Sequence, residues 1–368
     1  MGLPTLNINF VAAAQQTAYR IMRGSVAVIV KEATSALQGK LHKITSSAEI
    51  PTALTADNKT YINSIFVGNQ YAPREVLIAT VAKTNTDYAV AFDLLATEKF
   101  DWLVAPPDVD EAGCRAIATW IYTMREDGGI AKAILPNFDA GREDIVNFAS
   151  AGIKQQLVVP ANSNTSAGVT AGWYCGRVAG YIAGTPLAQS ITYGVLPEVT
   201  DFTRISKTDM ERAIDAGQLI LMHDGEKVKF ASGVTSLVQI SGGKFAGMKK
   251  IKIMAVLDRI RSELRLLVQD NYIGKMPNSY DNKCLLTTAI KGYFGQLEKE
   301  GILEAGSTVE IDIDAHRRYL TQKGIDLADM TDDDIKRANT GSNVFINASV
   351  SVLDAIENIE ININLDIG

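Results

Sequence analysis

The chain has only three cysteines, three histidines and 7 % aromatic residues. It has no apolar run approaching the ~18 residues that a membrane-spanning helix needs. Each shortage removes a class of function. Cys114, Cys175 and Cys284 are far apart, odd in number and never arranged as CxxC. That excludes a disulfide framework and predicts synthesis in a reducing compartment, with each thiol serving as a small buried hydrophobe. His42, His223 and His316 share no metal-ligand spacing with one another or with a cysteine. No phosphate-binding GxxxxGKS/T, no GxSxG and no HExxH occurs. Asp326, Asp329, Asp332, Asp333 and Asp334 cluster but lack the central glycine and closing glutamate of a calcium loop. Carboxylates at a helix start are already favoured by the helix dipole. The opening "MGLPTLNINF" has neither the basic region nor the apolar core of a signal peptide. A net charge of -6 argues against a general nucleic-acid binder. The expectation is therefore no cofactor, no metal, no nucleic acid and no membrane insertion by this chain.

What remains is an ordinary globular composition, 46 % hydrophobic and 21 % charged over 368 residues, long enough for two domains. "SVAVIVKE" reads as an apolar strand, followed by a polar stretch with turn residues. From residue 75 the pattern becomes βα repetition. "EVLIATVA", "DWLVAPP", "IAKAILP" and "KQQLVVP" read as strands. Helices are expected over "TDYAVAFDLLATEKF", over "DVDEAGCRAIATWIYTMRE" with Asp108 as N-cap and Glu111 three residues on, and over about 141–150. This alternation predicts a mainly parallel sheet covered on both faces. In "AGWYCGRVAGYIAG", Gly172, Gly176, Gly180 and Gly184 recur every four residues and read as a smooth packing stripe on a helix. Asp224-Gly225 signals a hairpin. Near residue 245 the character changes to two long amphipathic helices, one within "KKIKIMAVLDRIRSELRLLVQDNY" and one over about 282–299, then short strands and helices. Among these, Thr331 is placed to cap a helix with Asp334 at its third position. The fold expected is thus an α/β middle domain plus an α+β C-terminal domain: an arm over 1–22, the middle domain over 23–245, the C-terminal domain over 246–357 and a last strand over 358–368.

Both ends alternate strictly. Leu6, Ile8 and Phe10 are separated by Asn7 and Asn9; Ile359, Ile361, Ile363 and Leu365 are separated by Glu360, Asn362 and Asn364. That period belongs to half-buried strands, yet neither end has a turn or partner strand beyond it. The C-terminal half also concentrates basic residues on helices in an acidic chain: Lys249, Lys250, Arg259, Arg261 and Arg265 in or beside one, Arg317 and Arg318 on another, Lys336 and Arg337 on a third. Much of this is a solvated face, but it also suits contact with an acidic partner.

The segments "YLTQKGID" (319–326), "ANTGSNVF" (338–345) and "DAIENIEI" (354–361) resemble the C-terminal end of contractile-tail sheath proteins of phages, defective prophages and phage-tail-like bacteriocins of Gram-positive bacteria. The resemblance implies a structural subunit with no enzymatic activity, assembled in the bacterial host cytoplasm into a virion tail or a released tail-like particle. It implies a homo-oligomer, a helical stack of six-fold rings around an inner tail tube protein, with baseplate and tail terminator proteins at its ends. Contraction would drive the tube through a target envelope. It also implies that both terminal arms leave the subunit and complete small sheets on neighbours, since a strand's main-chain groups find partners at any free sheet edge. The basic helices become candidates for the tube-facing surface. Three alternatives stand beside this: pairing of the two ends within one chain, as termini often lie close together; an α/β enzyme binding a nucleotide or small substrate at the carboxyl edge of its sheet; and an inner-tube or other tail protein, against which the length and the βα region speak.

Overall fold

The computed structural model describes residues 23–156 and 167–363. Strand β1 (Val26–Glu32) is buried almost throughout, as an uninterrupted apolar run requires. After it come β2 (Lys40–Ile44), α1 (Ala56–Phe66), β3 (Val76–Ala82), α2 (Ala89–Leu95), β4 (Trp102–Val104), α3 (Glu111–Glu126), β5 (Lys132–Pro136) and β6 (Ile145–Phe148). Then follow β7 (Ile153–Gln155), β8 (Ala167–Val169), α4 (Ala171–Ala183), β9 (Val199–Asp201), α5 (Lys207–Asp215) and β10 (Gln218–Leu219). Seven strands form one sheet in the order β10-β6-β5-β4-β1-β3-β2. All its neighbours are parallel except β2, which runs antiparallel to β3 with Lys40 opposite Thr80.

Because side chains alternate along a strand, the sheet feeds two cores. Val26, Val28 and Val30 point to the side covered by α1 and α4, where they join Ile62, Ile65, Tyr174 and Val178. Ala27 and Ile29 point to the side covered by α2 and α3, where they join Leu95, Ile117 and Ile121. The glycine stripe of α4 is a packing device: a β-carbon on Gly180 would overlap the Ile65 carbonyl of α1, and one on Gly176 would press on the Tyr61 ring. Small β7, β8 and β9 form a three-stranded sheet, and β11 (Leu221–His223) with β12 (Val228–Phe230) forms the hairpin whose turn holds Asp224-Gly225.

The chain divides into two compact units, 1–254 and 255–368, within helix α6 (Ile251–Asn271). The second unit continues with α7 (Tyr280–Lys299), β13 (Thr308–Ile311), α8 (Ile313–Gln322), α9 (Asp332–Arg337) and β14 (Ile346–Ser349). Leu286, Ile290, Phe294 and Leu297 of α7 are buried, as are Ile311 and Leu320. β13 and β14 pair antiparallel, Thr308 opposite Ser349 and Ile311 opposite Ile346. The Thr331–Asp334 capping box of α9 is formed as its spacing predicts.

Three local expectations are corrected. Residues 145–148 form β6, deep in the parallel sheet, and not part of a helix over 141–150. Three apolar residues and Asn147, directly behind the charged "RED", carry too little periodicity to distinguish the two. The N-cap of α3 is Asp110, which accepts from the Gly113 amide at 2.8 Å, while Asp108 pairs with Lys31. The polar stretch after β1 contains β2 and α1. That helix buries Tyr61, Ile62 and Ile65 together with polar Asn58 and Ser64, so its buried face is not a purely apolar stripe. The N-terminal arm with Leu6, Ile8 and Phe10, Leu365, and the latter part of "KQQLVVP" lie outside the described residues.

Candidate assembly interface

In the second unit the chain leaves β14 and keeps running beside the segment that precedes β13. Leu303 bridges Val352, the Glu304 amide donates to Ser351 O at 2.8 Å, and Leu353 N donates to Ile302 O at 3.0 Å. Beyond Leu353 this ladder ends, and no strand is formed among described residues 354–363. Their apolar side chains stand in water: Ile356 is 86 % exposed, Ile359 75 %, Ile361 74 % and Ile363 75 %. Burying an isoleucine is worth roughly 1.5–3 kcal/mol, so this row leaves a large stabilisation unused in the single chain. The sheet it departs from has two strands only, so each has one edge without a strand partner among the described residues. A row of apolar side chains on a segment that forms no strand among the described residues, beside an open two-stranded sheet, is what strand exchange between copies requires.

The basic residues separate into paired and unpaired sets. Arg259 is tied down inside the second unit, its Nε 3.0 Å from Glu263 and a terminal nitrogen 3.4 Å from Glu300. Arg317 pairs with Asp332, and Arg337 lies over the Tyr280 ring at 4.2 Å. Arg261 and Arg265, one turn apart on α6, and Arg318 on α8 are exposed and make no ion pair among the described residues. Lys336 is half-buried on α9. Lys249 and Lys250, in the first unit, are half-buried where the chain enters α6, with Lys250 bridging Val234.

The carboxyl edge of the seven-stranded sheet is where an α/β enzyme would hold its ligand. A crevice of about 400 Å³ lies there, lined by Pro107, Asp110, Cys114, Asn137 and Gly172 among others. Its chemistry is poorly suited to a phosphate. Asp108, Asp110 and Glu111 make its rim acidic, and the two helices starting there are closed by their own caps, Asp110 on Gly113 and Thr170 on Trp173. Burial, with Asp110 and Glu111 adding to it, pushes the Cys114 thiol up to about 12, so it is no nucleophile at neutral pH. The N-terminus of α1 is filled by the chain itself. Glu32, at the end of β1 and fully buried, accepts from Thr55 N at 3.0 Å and Asn58 Nδ2 at 3.0 Å, and from Thr34 N at 3.0 Å. Burial opposes ionisation of this carboxyl, but those hydrogen bonds outweigh it and hold the carboxyl down at about 2. No cluster of three metal-ligating side chains occurs among the described residues.

A group that sequence reading missed is the buried contact between Lys283 and His316. They are thirty-three positions apart, with Lys283 Nζ 3.3 Å from His316 Nε2. No local pattern announces such a pair.

Comparison with known proteins places these features in context. The family model for the phage tail sheath protein central domain matches residues 82–236, and that for the phage tail sheath C-terminal domain matches residues 246–366. The chain is 36 % identical to the tail sheath protein of Clostridium phage phiCD119, covering 99 % of each. Among solved structures it resembles the anti-feeding prophage helical sheath in its contracted state, with a TM-score of 0.66 at 15 % identity over 100 % of both chains. It also resembles a sheath tail protein from Desulfitobacterium hafniense, with a TM-score of 0.67 at 14 % identity over 84 % of this chain and 94 % of that one.

Proposed function

Because the chain belongs to the phage tail sheath family and is a structural subunit of a phage tail or tail-like particle, we propose that it polymerises by lending its terminal strands to neighbouring copies. The carrying observation is the exposed isoleucine row at 356–363 beside a two-stranded sheet with open edges. A neighbour's edge supplies the missing main-chain partners, and its apolar surface covers one face of the arm. At about 3.3 Å per residue, a ten-residue arm reaches about 30 Å, enough to cross between subunits. Leu6, Ile8 and Phe10 give the N-terminal arm the same alternation, and Leu365 extends the C-terminal one.

The assembled form is a helical stack of six-fold rings around an inner tube protein, closed by baseplate and terminator proteins and built in the host cytoplasm. Residues 246–357 are the domain that meets the tube, and residues 1–22 and 358–368 act as links. Contraction drives the tube through an envelope and consumes no nucleotide, because the free energy resides in the difference between two packings of the same subunits. The contacts with the tube must be weak enough to break. Exposed ion pairs, each worth about 0–1 kcal/mol, meet that need, and Arg261, Arg265 and Arg318 are the basic residues available for them.

The test is electron microscopy of the concentrated full chain beside a version lacking 1–12 and 358–368. Tubes or stacked six-fold rings are expected from the full chain alone. Equal assembly by both versions overturns the strand-exchange reading. Neutralising Arg261, Arg265 and Arg318 together is expected to weaken assembly on the tube while leaving the monomer folded; unchanged assembly removes them from the tube interface.

A further inference from the structure

The segment "ANTGSNVF", residues 338–345, is the last stretch before β14 and therefore sets where the C-terminal strand and arm begin. It forms no helix or strand; its own turn, closed by Asn343 N donating to Thr340 O at 3.1 Å, is tied to the rest of the unit from outside. Asn278, just before α7, places its Nδ2 3.1 Å from Thr340 Oγ1, 2.8 Å from Gly341 O and 3.0 Å from Asn343 O. Lys283 of α7 donates to the Ala338 carbonyl at 3.2 Å. The Phe345 ring stands edge-on to His316 at 5.4 Å, and Asp312 N donates to the Phe345 carbonyl at 3.0 Å.

The centre of this arrangement is a buried Lys283–His316 contact, with Lys283 2 % and His316 0 % exposed. His316 Nδ1 lies 2.8 Å from the Asp312 carbonyl. A carbonyl only accepts, so Nδ1 holds the imidazole proton. Nε2 is left as a lone pair facing the Lys283 ammonium 3.3 Å away. The contact is therefore favourable only while the imidazole is neutral. A second proton would set donor against donor and two cations side by side without water. The facing charges are Lys283 from α7 and Asp312 from the start of α8. The Asp312 carboxylate is already committed to the Ala315 amide at 2.8 Å, and residues 338–345 offer carbonyls and a ring.

We propose that Lys283 and His316 are positioning residues for the C-terminal strand and arm, and that protonation of His316 releases residues 338–345 and so disconnects assembly at mildly acidic pH. The first half stands on the geometry of one chain; the link to assembly rests on the strand-exchange reading above. Burial pushes the His316 imidazole below its ordinary 6.5; the Asp312 carbonyl pulls it upward and the Lys283 charge pushes it further down. An imidazole depressed in the fold takes its proton first in the released state. The seated state is therefore fully favoured above about pH 6.5 and loses ground as pH falls below it.

The experiment follows amide exchange over residues 338–353 in the unassembled full chain between about pH 7.5 and about pH 5, corrected for intrinsic rates, with tube pelleting measured in parallel. Protection is expected to fall about tenfold or more across this range. The His316→Gln variant, which cannot take the proton, is expected to lose that response. The Lys283→Met variant, which removes the opposing cation, is expected to shrink it. Protection that does not change with pH in the native chain overturns the proposal, as does a native-like response in either variant. If His316→Gln does not fold, the Lys283→Met result decides alone. Absence of tubes at neutral pH, with the exchange response as expected, counts against the strand-exchange reading and leaves the positioning role standing.

Discussion

The seven-stranded sheet of the first unit and the two-stranded sheet of the second solve the same problem in opposite ways. In the first, β1 is flanked by β3 and β4, roofed on both faces by helices, and left with no exposed apolar side chain between Val26 and Val30. In the second, β14 has one strand partner, and the chain leaving it carries four isoleucines into solvent. One sheet spends its hydrophobic surface on its own fold. The other leaves it in water, and the strand-exchange proposal has another chain supply the cover. On that proposal stability and assembly rest on different residues, and substitutions can separate them.

The largest effect on the single chain is expected at Gly180. A valine there must displace the Ile65 carbonyl, and backbone cannot give way as a side chain can. We expect a loss of about 3 kcal/mol or more, seen as collapse of the thermal transition of the first unit. Glu32→Gln should cost on the order of 2 kcal/mol by weakening three charge-assisted hydrogen bonds at the head of α1. Its carboxyl is depressed to about 2 from an ordinary 4.5. The native chain therefore holds this stabilisation above about pH 4.5 and loses it as pH falls towards 2, and the variant should lack that part of the acid unfolding profile. Arg259→Ala should cost about 1–2 kcal/mol, because Glu263 and Glu300 lose a partner in a half-buried place. Arg261→Ala, on the same helix, should stay within about 0.5 kcal/mol in denaturant titration. The smallest effect on folding is expected for Ile361→Asp, again within about 0.5 kcal/mol, since its side chain touches little. On assembly the order inverts: Ile361→Asp should abolish tubes in electron micrographs. A melting temperature lowered by several degrees would mean that the arm packs on its own subunit, and the contrast between the sheets would fail.

How much of this was legible in the sequence followed from the range of the interactions. β1 and β3 were legible because the apolar runs Val26–Val30 and Val76–Ala79 have few other uses. The α4 stripe was legible because four glycines at helical spacing leave only close packing as their purpose. α1 was not, because one buried stripe of Tyr61, Ile62 and Ile65 is diluted by polar neighbours and by Glu32, a helix partner contributed from twenty-three residues away. β6 was not, because a four-residue strand exists only through β5 and β10 on either side. In the interface, the alternation of the arm was written in its period. The sorting of arginines into tethered Arg259 and free Arg261 was not, because it depends on Glu300 reaching back from the end of another helix. The Lys283–His316 contact is further from sight still, since thirty-three positions separate the two and only the fold brings them together out of water.

The contact between α1 and α4 has a mechanical consequence. Where two helices meet through side chains, they can slide slightly by rotamer changes, and the joint is compliant. Where Gly180 brings the α4 backbone against the Ile65 carbonyl, and Gly184 at its end meets the Tyr71 carbonyl beyond α1, no flexible spacer remains to yield. A load applied to this helix pair meets stiff backbone first.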